Sequence, residues 1–162
     1  SFTRREAWED ARALGHRSIL ADPRRREMRD YINARVKHRE WYRPVAPAVL
    51  EEAAGGYFQV DRPSPFMLFA VQVRPEKANF IPAVVHIDGS ARLQTVNART
   101  DPRFHRLIKE FADITGIPVV VNTSFNPKDE PIVESPQDAI RTFLRMNLDA
   151  LAIDRWLVIK RR

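Results

Sequence analysis

Asp101-Pro-Arg-Phe-His-Arg-Leu-Ile-Lys-Glu-Phe-Ala-Asp-Ile-Thr-Gly-Ile-Pro-Val-Val-Val-Asn-Thr-Ser-Phe-Asn126 is the stretch from which the fold class is read. Asp101 is a good helix N-cap, and Pro102 suits the first helical position, where its missing N–H is no loss. Phe104, Leu107, Ile108, Phe111 and Ile114 then recur at helical spacing and form one apolar stripe. Gly116 stands where a left-handed cap ends a helix, and Pro118 prevents continuation. Val119-Val-Val-Asn122 reads as a buried strand that opens into a polar loop. A helix running directly into a buried strand marks an α/β domain.

The same grammar extends in both directions. Ser135-Pro-Gln-Asp138 has the spacing of a capping arrangement, and a helix through Ala139, Ile140, Phe143 and Leu144 follows it. Residues 150–153 and 156–159 read as short strands joined by Asp154-Arg155. Upstream, residues 66–73, between Pro65 and Pro75, are aromatic and aliphatic enough to predict a strand, and residues 83–88, closed by Gly89, predict another. Asp22-Pro23 reads as the N-cap of a helix through Met28, Ile32 and Val36. The expected fold is a mixed α/β sheet flanked by helices.

The chain has 162 residues, which suits one domain with its own core. Its 44% hydrophobic and 30% charged residues are those of a globular chain, not a disordered one. No apolar run approaches a membrane span of about 20 residues, and the first residues have no signal-peptide core. The lack of cysteine excludes disulfides, thiolate metal sites and a cysteine nucleophile, and agrees with a cytoplasmic location. The formal net charge of +6 points to an anionic partner. Gly55-Gly56 and the other glycines make no phosphate-binding fingerprint, and the dispersed histidines make no metal set, so no metal ligands are expected. With no Ser-His-Asp arrangement either, any catalysis has to come from positioning and electrostatics.

Three polar clusters carry candidate chemistry. In Lys37-His-Arg-Glu-Trp-Tyr-Arg-Pro44, an extended backbone would put Lys37, Arg39, Trp41 and Arg43 on one face. Three cations on one face ask for an anion, although a solvated basic edge strand would look the same. In His86-Ile-Asp-Gly-Ser-Ala-Arg-Leu-Gln94, polar residues arrive at the end of an apolar stretch. There His86 reads as a core histidine, while Arg92 adds a cation just after a turn. In Asn122-Thr-Ser-Phe-Asn126, Asn122, Ser124 and Asn126 would share a face if extended and offer neutral donors and acceptors.

Together these motifs resemble the C-terminal domain of the carbamoyltransferase family that includes the nodulation and antibiotic-tailoring O-carbamoyltransferases. The resemblance runs through Arg12 to Arg24, residues 33–47, 86–94 and 122–126, and Glu130-Pro-Ile-Val133, and so covers nearly all of residues 1–162. It implies a twisted, YrdC-like mixed sheet with a concave basic cavity, and a close relative in an aminoglycoside (tobramycin) carbamoyltransferase. It also implies a reaction, in which carbamoyl phosphate yields carbamate and carbamate attacks ATP to give carbamoyl adenylate. Transfer to a hydroxyl acceptor would fall to a separate N-terminal domain holding a metal such as iron, of which this chain would be the excised C-terminal partner. Mg²⁺ would accompany the ATP.

Carried onto this sequence, the resemblance makes Lys37, Arg43 and Ser124 the catalytic candidates. Arg12, Arg39 and Arg92 would complete the basic ring, while Asn122, Asn126 and His86 would hold the carbamoyl group and nucleotide. Two departures stand out: Asp10-Ala11 where the family has Gly-Pro, and Asp129 where it has Gly. The alternative is an RNA-directed or threonylcarbamoyl-adenylate-type module. Against it, the sequence has no aromatic platform of the single-strand-binding kind, so nucleic acid is not the expected partner.

Overall fold

The computed structural model of the chain describes residues 13–160. Its centre is a four-stranded mixed sheet of β1 (Ser18–Ala21), β2 (Ala46–Leu50), β5 (Gln94–Val96) and β6 (Val119–Ser124), in the order β1-β6-β2-β5. β6 is antiparallel to both β1 and β2, while β2 and β5 are parallel. Two antiparallel ribbons flank this sheet: β3 (Ala70–Gln72) with β4 (Ser90–Arg92), and β7 (Ala150–Ile153) with β8 (Trp156–Ile159). The strands are joined by helices α1 (Glu27–Tyr31), α2 (Ala54–Tyr57), α3 (Pro75–Ala78), α4 (Pro102–Thr115) and α5 (Pro136–Arg145).

The pairing register sorts the core. Ala48, Leu50, Val96 and Val120 share one sheet face, where Phe104 and Ile108 of α4 cover them. Each of those two side chains contributes roughly 1.5–3 kcal/mol on burial. Val49, Val119 and Val121 point to the other face, into a cluster with Ile32, Phe58, Ile81 and Leu93. A smaller cluster of Ile19, Val36, Phe125, Phe143 and Leu151 binds α5 and the β7–β8 ribbon to the sheet's end. Among the described residues no helix is long and apolar enough to cross a membrane.

Local chemistry places the elements that the sequence marks most plainly. Asp101 caps α4 by accepting the Phe104 N–H at 3.1 Å, and Gly116 ends the helix at φ +76°. Ser135 and Asp138 form a complete capping box at the start of α5. The mixed sheet, the strand after Pro118 and the terminal ribbon also match expectation.

Elsewhere the structure corrects the reading. Asp22 does not cap a helix: its carboxylate takes the N–H and guanidinium of Arg24 at 2.9 and 2.6 Å. α1 begins only at Glu27, because Arg24, Arg25 and Arg26 would place cations at the positive end of a helix dipole. Residues 66–73 are mostly not strand. Pro63 and Pro65 withdraw ladder donors, Met67 sits at φ +53°, and pairing is confined to Ala70–Gln72 and a single bridge from Val73 to Phe58. Residues 83–88 form a 3₁₀ turn and a tight loop, in which the His86 N–H donates to the Ser90 carbonyl. β2 went unread because of Pro47. Its pairing with β5 begins only at Ala48, so one side of Pro47 faces no ladder and the strand tolerates it.

The packing of α4 on the N-terminal loop leaves no space for a side chain at Gly15. Its φ is +105°, and a Cβ there would lie 2.3 Å from the Phe104 ring. Gly15→Ala should therefore lower stability by about 1–3 kcal/mol in urea denaturation. An unchanged midpoint would show that the loop does not seat on Phe104.

Candidate anion-binding site

α1 does not end cleanly but widens into a π-helical turn, Ile32–Val36, which buries Ile32, Asn33 and Val36. Lys37 follows and points inward, with only 4% of its surface exposed. Its Nζ donates to the Ser124 carbonyl (2.5 Å), Ser124 Oγ (3.3 Å), the Asn126 carbonyl (2.8 Å) and Asn126 Oδ1 (2.7 Å). The Ser124 hydroxyl also donates to Asn126 Oδ1 at 2.5 Å, and Asn126 Nδ2 closes the following turn on the Glu130 carbonyl at 2.7 Å. Asp129 in that turn adopts φ +60°, a left-handed backbone that Asp tolerates. All four partners of Lys37 are neutral oxygens, and none is a carboxylate.

The backbone reverses at His38, with φ +47°, so the next cation leaves in another direction. Residues 37–43 are thus not extended, and the expected common face does not form. Asn33 organises this loop instead. Its amide donates to the carbonyls of Trp41 (3.1 Å) and Arg43 (2.8 Å) and accepts from Arg39 Nε (2.8 Å). Arg43 is exposed and donates to Glu40 at 2.8 Å.

The cations nevertheless gather. Burial, with Arg39 adding to it, pushes Lys37 down to about 7, while the surrounding oxygens favour the ammonium. Arg39 is lowered by burial and by Arg43 and Arg92, with Glu40 opposing, but a guanidinium stays charged. Arg39 is thus the cation within electrostatic reach of each of the others, Lys37, Arg43 and Arg92. Neither Lys37 nor Arg39 in this cluster makes a salt bridge among the described residues, while Arg43 is paired with Glu40, which also acts on Arg39.

Neutral groups border it. Asn122 and Gln94 lie on the same sheet face with Ala46 and Ala48 between them, residues small enough to let the two amides meet across β2. Asn122 Nδ2 donates to Gln94 Oε1 at 2.8 Å, and Gln94 Nε2 donates to the Leu14 carbonyl at 2.9 Å. Asn122 Oδ1 is left buried with no partner among the described residues. His86 Nδ1 is 3.2 Å from Ser90 Oγ, whose own proton goes to Asp88 Oδ1 at 2.7 Å. That assigns the proton to Nδ1 and leaves Nε2, buried and unpartnered among the described residues, as an acceptor. Burial lowers the His86 pKa; Asp88 opposes, and Arg92 and Arg29 add to the lowering.

Of the residues singled out from sequence, the structure joins Lys37, Ser124 and Asn126 directly, brings Arg39 close to Lys37, and brings Arg43 and Arg92 close to Arg39. Asn122 stands one step back, tied to Gln94, and His86 lies on the turn beside Arg92. Arg12 falls outside the described residues. Sequence reasoning missed Asn33 and Gln94. The signal for Asn33 was available: an amide next to Ile32 on the buried stripe of a helix needs partners of its own.

The chain belongs to the family described as "Carbamoyltransferase C-terminus", which matches residues 3–160. It is 52% identical over 153 residues to nodulation protein NolO of Bradyrhizobium diazoefficiens, covering 93% of this chain and 28% of that protein. It is 50% identical to nodulation protein NolNO of Sinorhizobium fredii, covering 93% of this chain and 22% of that one. An uncharacterised protein of Methanocaldococcus jannaschii, MJ1058, is 45% identical over 91% of this chain and 24% of its own length. The chain thus spans little more than a quarter, or less, of these relatives.

The state of Lys37 gives a pH signature. Unfolded, it titrates near 10.5; folded, near 7. Between these values the unfolded chain binds more protons, so stability rises with pH from about 7 to 10.5, by at most ~1.4 kcal/mol per pH unit from this group. Lys37→Met should lack this component when urea-denaturation free energies of the two proteins are subtracted across that range. Parallel pH profiles would mean that Lys37 keeps its ordinary basicity.

Proposed function

We propose that this chain forms carbamoyl adenylate from carbamoyl phosphate and ATP in a YrdC-like basic cavity. A separate N-terminal domain of a longer polypeptide then passes the carbamoyl group to a hydroxyl acceptor. The observation that carries this reading is the buried Lys37 ammonium, faced by oxygens and backed by Arg39, Arg43 and Arg92, with no carboxylate to neutralise it. Such charge calls for an anion, and phosphoryl groups fit arginine forks and a lysine point charge.

The division of labour follows from the contacts. Arg43, with Arg39 and Arg92, would hold phosphate oxygens and stabilise charge on the pyrophosphate as it leaves. Lys37 anchors the loop that presents Ser124 and Asn126, so its charge acts on the reacting groups through that loop. Ser124 and Asn126, with Asn122 behind them, offer the neutral donors and acceptors that suit a carbamoyl group. Water first cleaves carbamoyl phosphate to carbamate and inorganic phosphate; a carbamate oxygen then bonds to the α-phosphorus of ATP and the bond to the departing pyrophosphate breaks. Among the described residues no cluster of three or more His, Asp or Glu side chains could cage an ion, so Mg²⁺ would be carried on the phosphates of ATP. The adenylate is labile in water, and the N-terminal domain would shield it.

The experiment is pyrophosphate release with Mg-ATP, in the presence and absence of carbamoyl phosphate. Release that depends on carbamoyl phosphate is expected, and Arg43→Ala, an exposed position, should reduce it at least about tenfold without lowering the melting temperature. No release together with no ATP binding by calorimetry would overturn the reading. A second signature comes from Lys37. An arriving anion restores its basicity, so tripolyphosphate binding at pH 8 should take up a proton. Calorimetry in buffers of different ionisation heat would show this, and Lys37→Met should lose it.

A further inference from the structure

β8 carries a large apolar side chain at every position, and all four, Trp156, Leu157, Val158 and Ile159, are exposed. An edge strand that is left to water is usually protected by charge or by proline, and β8 has neither. Its neighbour β7 alternates in the ordinary way, with Leu151 buried in the cluster of Phe125 and Phe143 and with Ala150 and Ala152 outside. Ala150 pairs with Ile159 and Ala152 with Leu157, so the outer face of the ribbon is entirely apolar. Leu157 and Ile159 are each 65% exposed on that face.

The backbone of β8 is as available as its side chains. β7 lies along one edge, and among the described residues no strand lies along the other. The Lys160 N–H donates to the Asp149 carbonyl at 3.2 Å, which makes 149 and 160 a hydrogen-bonded pair. Bonded and non-bonded pairs alternate along an antiparallel ladder. Trp156 and Val158 therefore turn their N–H and C=O groups towards β7, while Leu157 and Ile159 turn theirs away from it.

These outward groups are self-complementary. A second β8, antiparallel and centred on Val158, sets Leu157 of each copy against Ile159 of the other, and every outward N–H and C=O of the two residues finds a partner. Val158 then faces Val158 of the second copy in a non-bonded pair. Trp156 faces Lys160 of the second copy, an aromatic ring opposite a cation. From Trp156 to Lys160 the pairing opposes no like charges, and each apolar side chain of Leu157, Val158 and Ile159 gains an apolar cross-strand neighbour.

We infer that β8 is the contact between two copies of this chain, which pair about a two-fold axis at Val158 and join their ribbons into one four-stranded sheet. A two-fold contact uses the same strand on both sides, so assembly through β8 stops at two. The inference is independent of the reading of the cation cluster.

The chain has no cysteine, so one introduced thiol reports the contact. Val158→Cys places two thiols in a non-bonded pair across the axis, where Cα atoms about 4.5 Å apart lie within disulfide reach. Under mild oxidation this variant should form a covalent dimer. Trp156→Cys should not, because its two copies would stand four residues apart along the strands, roughly 13 Å. In sedimentation equilibrium the wild-type chain should show a monomer–dimer equilibrium. Leu157→Lys, at an exposed position that counts twice in a symmetric contact, should raise the dimer dissociation constant at least about tenfold while circular dichroism shows the monomer still folded. A wild-type chain that stays monomeric at every concentration would overturn the pairing. So would a dimer that survives Leu157→Lys, or a Trp156→Cys variant that crosslinks as readily as Val158→Cys.

Discussion

The contact on which the site depends is a buried ammonium surrounded by neutral oxygens. Lys37 ties the end of α1 to the loop after β6, two segments nearly ninety residues apart, through two backbone carbonyls and two side-chain oxygens of Ser124 and Asn126. A carboxylate in the same place would have satisfied the charge and closed the site electrostatically. Neutral oxygens satisfy the hydrogen bonds and leave the charge unspent. The pocket is therefore held together by hydrogen bonds yet keeps a field for an anion, and the same lysine supplies both.

The second constraint is the crowding of like charges, which the backbone has to enforce. Arg39 and Arg43 would separate if the loop were free to relax, and Asn33 prevents that by gripping the loop at three points. A fully buried amide suits this work, because it donates to two carbonyls and accepts from a guanidinium without adding charge. His38, at φ +47°, makes the turn that sends Lys37 inward and Arg39 away from it. Left-handed residues also occur at Leu14, whose carbonyl receives Gln94, and at Asp129, in the turn closed by Asn126. Three of the five left-handed non-glycine residues among those described thus fall in loops tied to the polar cluster, the others being Met67 and Asp154 of the β7–β8 turn.

What the sequence revealed and what it hid divide along physical lines. α4, β6, α5 and the β7–β8 ribbon were legible because caps, periodicity and punctuation agreed within each segment. The central strand β2 was hidden because Pro47 reads as a breaker until the neighbouring strand is seen to start one residue later. Residues 66–73 misled in the opposite sense. Their aromatic content suggests burial, yet Phe66, Leu68 and Phe69 are exposed, since side-chain type reports burial only when a partner face exists. In the site, Lys37, Ser124 and Asn126 could be named from their motifs, but their mutual contact could not. The inward turn of Lys37 depends on a π-helical turn and a left-handed histidine, and neither leaves a periodic trace in sequence.

The arrangement also explains why the polar cluster sits at this corner of the sheet. β6 lies between β1 and β2: Val119 and Val120 pair with β2 alone, and Val121 and Asn122 are paired on both sides. Past Asn122 the pairing with β2 has ended, and only β1 continues alongside as far as Ser124. The strand end is thus paired on one side and unpaired on the other, and there Lys37 bonds to Ser124. A polar side chain there is positioned by the sheet without being enclosed by it, which is what a site needs if it is to be both preorganised and reachable. Asn122, still inside the paired region, is correspondingly buried and bonded to Gln94, whereas Ser124 and Asn126 are partly exposed. The alternation 122, 124, 126 therefore runs from a buried amide to partly exposed polar groups, a gradient set by where β2 stops.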